Sequence, residues 1–80
     1  MINLESRTHL SRDLITARLK AFFGPGGLGL VLTEETPESL RFEGGGGFIS
    51  AAICPEGDGH RLTLVGREWE DQARRFMDTL

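Results

Sequence analysis

The stretch from residue 40 to residue 65 most constrains what this chain can fold into. It contains three short runs of strand-forming residues, separated by four consecutive glycines and by a Pro-Glu-Gly-Asp-Gly break. Alternating apolar and polar residues favour half-buried strands, and glycine supplies the positive φ that tight hairpin turns require. The pattern therefore predicts two consecutive β-hairpins, with the four glycines forming a turn.

The same alternation predicts which side chains face the core. Pairing Glu43 with Phe48, and Ile53 with Leu62, gathers the apolar side chains of all three strands on one face. A slip of one residue at either hairpin mixes them with charged or polar neighbours, so the register is well specified. The predicted core face consists of Leu40, Phe42, Ile49, Ala51, Ile53, Leu62 and Leu64.

Further elements are predicted on both sides of this stretch. Residues 28–34 alternate like a strand, and residues 8–23 and 67–80 have the apolar periodicity of helices. Thr8 or Ser11 is expected to cap the first helix, and Gly24 to end it in a left-handed conformation. We predict an α+β fold over residues 1–80, a single small domain: a helix, a four-stranded antiparallel meander and a helix (α-β4-α), with both helices packed on one face of the sheet.

The composition bounds the class of protein. The 80 residues carry a net charge of −3 with a single lysine, which argues against a nucleic-acid partner because such proteins usually cluster basic residues. No apolar run approaches the roughly 20 residues needed to cross a bilayer, so no membrane association is predicted. The single cysteine, Cys54, cannot form an internal disulfide, and we expect a cytoplasmic location.

The candidate motifs for chemistry are weak. Residues 24–29 match the letters G-x-G-x-x-G, but a helix precedes them and a strand follows, the reverse of a dinucleotide-binding turn. Cys54, Asp58 and His60 share one hairpin, yet they do not have the spacing of a zinc site or an oriented catalytic dyad. We therefore predict a protein that is not an enzyme and that has no cofactor and no metal.

The remaining candidate is the sheet face opposite the core. It is expected to carry polar residues mixed with apolar ones, so it is either a solvated face or a contact surface. The first hypothesis is an interaction module that binds a protein partner or itself, as a homodimer, through this face or through an edge strand. The predicted contact residues are Val31, Arg41, Phe48, Ser50, Ala52, Thr63 and Val65.

The alternative hypothesis is a small-molecule-binding domain with a pocket between the sheet and the first helix. Arg18 lies within the apolar arc of that helix, where it is either an anchor for an acidic ligand or an arginine whose stem packs while its head reaches water. In this interpretation the glycine-rich loop at residues 24–29 gates the pocket.

Overall fold

The computed structural model describes residues 1–80, which form one antiparallel sheet of five strands and two helices. In chain order the elements are β1 (Ile2–Thr8), α1 (Arg12–Phe23), β2 (Val31–Thr36), β3 (Ser39–Gly44), β4 (Gly47–Glu56), β5 (Gly59–Arg67) and α2 (Glu70–Met77). The α+β class is confirmed, and β2 to β5 form the predicted meander. Neither helix is both long and apolar enough to cross a membrane.

The predicted order of elements is wrong at the start of the chain. A fifth strand, β1, precedes the first helix and pairs with β5, so the sheet order is β1-β5-β4-β3-β2. Thr8 belongs to β1, and α1 begins only at Arg12, where the Ser11 hydroxyl accepts a hydrogen bond from the Leu14 amide. The sequence of β1 is only a weak indication of a strand. On its core-facing side Ile2 and Leu4 are apolar, but the next two residues on that side, Ser6 and Thr8, are polar.

The predicted register of the central strands is confirmed. Glu43 lies opposite Phe48, Ile53 opposite Leu62, and Ala51 opposite Leu64. All seven side chains of the predicted core face are buried, in one cluster with side chains of both helices. The helices contribute Ile15, Leu19, Phe23, Ala73 and Phe76.

The four glycines form the predicted turn. Gly44 and Gly47 are the closing pair of the β3–β4 hairpin, and the two residues between them, Gly45 and Gly46, have φ values of 59° and 81°. Two consecutive positive φ values match a type I′ turn, whose twist suits the flanking strands. The indole Nε1–H of Trp69 donates to the Gly44 carbonyl at 2.9 Å, which ties the start of α2 to this hairpin.

The connection between α1 and β2 differs in detail from the prediction. Gly24 follows the helix in an extended conformation (φ −78°), so the predicted left-handed cap is wrong. The loop instead folds back on the helix end: the amides of Leu28 and Leu30 donate to the carbonyls of Phe22 and Phe23 at 2.9 Å. Regular strand pairing begins at Val31 rather than at Leu28.

The second helix is shorter than predicted. Arg67 ends β5, and α2 starts at Glu70 with Trp69 as its N-cap residue. Phe76 is buried, and its ring lies 5.4 Å from that of Phe22 and 5.5 Å from that of Phe23. These edge and tilted aromatic contacts join the two helices above the sheet.

Candidate functional site

The sheet face opposite the core is the candidate site, and we call it the open face. It is formed by the outward side chains of the five strands, and the buried cluster with the helices lies on the other side. All seven predicted contact residues lie on it, at register positions that alternate with the core residues. They are Val31, Arg41, Phe48, Ser50, Ala52, Thr63 and Val65.

The side chains in the middle of the open face are small and uncharged. Ser50 lies opposite Val65, and Ala52 lies opposite Thr63, so these four form a block on the central strand β4 and its neighbour β5. We call this block the central patch. Ala52 is exposed and the other three are half-buried, so the block faces outward without a covering element.

At one end of the open face, arginine side chains cover the aromatic ring of Phe48. The guanidinium carbon of Arg41 lies 4.3 Å from the centre of the Phe48 ring, and that of Arg67 lies 6.0 Å away. Both distances are in the range of cation–π attraction. Phe48 is consequently half-buried and less available as an apolar contact than the sequence suggested. Val31, 63% exposed, is the open apolar side chain at this end.

Glu43 completes this end of the face. Arg41 Nε and the Thr33 hydroxyl each donate to the same Glu43 carboxylate oxygen at 3.0 Å. The Arg41 hydrogen bond, and secondarily that of Thr33, lowers the pKa of Glu43 below its ordinary value. The carboxylate in turn holds the Arg41 side chain beside Phe48.

We expect Arg41→Gln to raise the pKa of Glu43 towards its ordinary value, because the main donor to the carboxylate is replaced by a neutral group. Carboxyl-carbon NMR titration measures this directly. Since the folded-state pKa is depressed, the pair adds stability above the unfolded pKa and loses it as pH falls through the folded one. Arg67→Gln is the control and should leave Glu43 unchanged. A titration that Arg41→Gln does not move would contradict this assignment.

The other end of the open face is a network of ion pairs. Glu56 contacts Arg7 at 2.9 Å and Arg61 at 3.0 Å, and Arg61 also approaches Glu5 at 3.7 Å. Cys54 lies beside this network, opposite Arg61, and is a free half-buried thiol. These contacts lie at the surface, where such pairs add little stability but define the charge that a partner meets.

Two groups of open-face residues were missed from the sequence. The sequence pattern places Arg67 in the second helix and indicates no strand at Asn3, Glu5 and Arg7. The alternation of Ile2 and Leu4 with Asn3 and Glu5 was the available signal for β1, but two apolar residues do not distinguish a strand from an irregular segment.

Arg18 does not point into a space between the sheet and α1. That space is filled by the buried side chains of Ile15, Leu19 and Phe23. Arg18 reaches sideways instead, and its guanidinium donates to the carbonyl of Thr79 at 3.0 Å. The open, shallow depression beside it lies between the two helices and is lined by Arg18, Ala21, Phe22, Phe76 and Thr79.

The residues considered for chemistry are also separated. His60 Nδ1 lies 3.0 Å from the carbonyl of Leu10, and His9 pairs with Asp58 at 3.3 Å on the exposed hairpin. Cys54 lies on the open face, opposite Arg61. No group of three His, Cys, Asp or Glu side chains has the geometry to hold a metal ion.

Comparison with known proteins identifies no relative of this chain. The chain matches no protein-family model, and no curated protein or solved structure shows significant similarity to it.

Proposed function

We propose that this protein is an interaction module that associates through its open face, with a second copy of the chain as the partner. The observation that carries the proposal is the uncovered central patch. Both helices contribute to the buried cluster on the opposite side, and nothing in the fold covers Ser50, Ala52, Thr63 and Val65. Small side chains permit close approach of another sheet, and burying their apolar area from water is favourable by roughly 25 cal/mol per Å².

The charges around the patch support a second copy as the partner. Arginine and glutamate are present in equal numbers among the outward side chains of the sheet, so the face has no net charge. They are Arg7, Arg41, Arg61, Arg67, Glu5, Glu34, Glu43 and Glu56. A symmetric contact brings the same surface to both sides, and such a surface must be complementary to itself. A face with both signs of charge at its rim and none at its centre satisfies this condition.

We propose that the role of the protein is non-enzymatic and that it acts in a reducing compartment such as the cytoplasm. The single cysteine and its free thiol favour that location. A small-molecule role is less well supported, because the space between the sheet and α1 is filled and Arg18 already donates to Thr79.

Ala52→Glu tests the open face. A carboxylate at the centre of the patch would face its own copy across a symmetric contact, so we expect the sedimenting mass to fall by half. The circular dichroism spectrum should be retained, because Ala52 is exposed in the single chain. Ala52→Ser is the matched control and should leave the mass unchanged. If the wild-type chain has the same mass as Ala52→Glu at high micromolar concentration, the face is simply solvated and the proposal fails.

A further inference from the structure

The two edges of the sheet are built differently. On β2 the pairing register shifts between Leu32 and Glu34, which is a β-bulge or a similar irregularity. Such interruptions disturb the row of backbone groups that another strand would need, and natural sheets use them to block edge pairing. On β1, all seven residues from Ile2 to Thr8 pair in unbroken register with β5. The outer edge of β1 is therefore the regular one, and no strand of this chain pairs with it.

The outward side chains of β1 also select a partner. Glu5 and Arg7 project from the open face two residues apart, and both are exposed. An antiparallel copy of β1 centred on Ser6 places each Glu5 opposite the second copy's Arg7. Directly opposite side chains of unlike charge attract, and those of like charge repel. Centring the pair on Glu5 or on Arg7 instead would bring two identical charges together.

We propose that β1 pairs antiparallel with β1 of a second copy, in the register centred on Ser6. The contact joins two five-stranded sheets into one of ten strands, with backbone hydrogen bonds between residues 4–8 of each chain. A two-fold axis at Ser6 leaves the helices of both copies on the same side of the sheet. The contact uses the edge of β1 and leaves the central patch free, so it goes beyond the proposed function.

Charge reversal tests the register. Glu5→Arg places like charges opposite each other at both ends of the contact, and Arg7→Glu does the same with the opposite sign. We expect each variant alone to lose the edge contact and an equimolar mixture of the two to regain it, since every facing pair is then complementary. Glu35→Arg is the control and should leave the mass unchanged, because Glu35 is exposed on the bulged strand but lies opposite Leu40, on the helix side of the sheet. A mixture that regains no mass over its separate components would overturn the register.

A cross-link tests the two-fold axis independently. In an antiparallel pair, opposite Cα atoms lie about 4.5–5.5 Å apart, within the range that a disulfide spans. In a Cys54→Ser background, Ser6→Cys should form a disulfide-linked dimer on mild oxidation. Asn3→Cys should not, because in this register it lies opposite a residue beyond the end of β1. Equal cross-linking of both variants, or of neither, would refute pairing at Ser6.

Sedimentation of both surface variants separates this inference from the proposed function. If both contacts operate, the wild-type chain exceeds a dimer, and either Ala52→Glu or Glu5→Arg reduces it to a dimer. If only the edge pairs, the wild-type dimer survives Ala52→Glu and becomes a monomer with Glu5→Arg. If only the open face pairs, Ala52→Glu becomes a monomer and Ser6→Cys forms no cross-linked dimer, so the edge inference fails whatever the effect of Glu5→Arg at the rim of that face. A wild-type monomer at high micromolar concentration rejects both.

Discussion

Phe76→Ala is expected to lower the free energy of unfolding by about 3–5 kcal/mol, the usual cost of removing a buried phenylalanine. The ring is 1% exposed and contacts the rings of Phe22 and Phe23, so its loss leaves a cavity between the helices and the sheet. At about 0.05–0.15 kcal/mol per residue, a chain of 80 residues has a total stability of roughly 4–12 kcal/mol. The substitution therefore removes a large share of the total. Urea denaturation measures it.

Phe48→Ala is the matched control for that experiment. Phe48 has the same side chain but lies half-buried on the open face, where its main partner is the guanidinium of Arg41. We expect a loss of about 1 kcal/mol, the scale of a surface cation–π contact. If the two substitutions cost the same, Phe76 does not anchor α2 in the core.

Ala51→Glu is expected to prevent folding, whereas Ala52→Glu should leave the single chain folded. Ala51 is fully buried between Leu40 and Leu64 on the neighbouring strands. A carboxylate there has no charged partner, and burying an unpaired ion costs several kcal/mol. That cost is comparable with the whole stability of a small domain. Ala52, its neighbour on the same strand, is exposed on the other face.

Far-ultraviolet circular dichroism and thermal melting of the two variants measure this difference. Because successive side chains on a strand point to opposite faces, the pair tests the facing of β4 with one substitution at adjacent positions. A cooperative melt for Ala51→Glu together with an unfolded Ala52→Glu would reverse that facing. Both variants folding equally would mean that neither position is enclosed.

The candidate site shows where sequence patterns are informative. The seven predicted contact residues lie on one face because strand alternation and three short turns determine their positions locally. Arg7 could not be placed on that face from the sequence, because β1 pairs with β5, more than fifty residues later. Arg67 could not be placed there because the helical periodicity of residues 67–80 includes it, whereas in the structure it ends β5 opposite Phe48. The contact of the two arginine side chains with the Phe48 ring was also not predictable. It depends on tertiary structure, because β3 and β5 bring Arg41 and Arg67 to the same ring from opposite sides of β4.

By itself, the sequence determined the two central hairpins, their register and the seven buried residues of the core face. Glycine at the turns and apolar alternation in the strands act over a few residues, so they are visible in the chain. Only the tertiary structure decided that Ile2–Thr8 is a strand. Its partner is β5, more than fifty residues later, and a segment with two apolar residues becomes a strand only when a sheet edge satisfies its backbone hydrogen bonds. The direction of Arg18 was decided in the same way, by a carbonyl group of Thr79 at the far end of the chain.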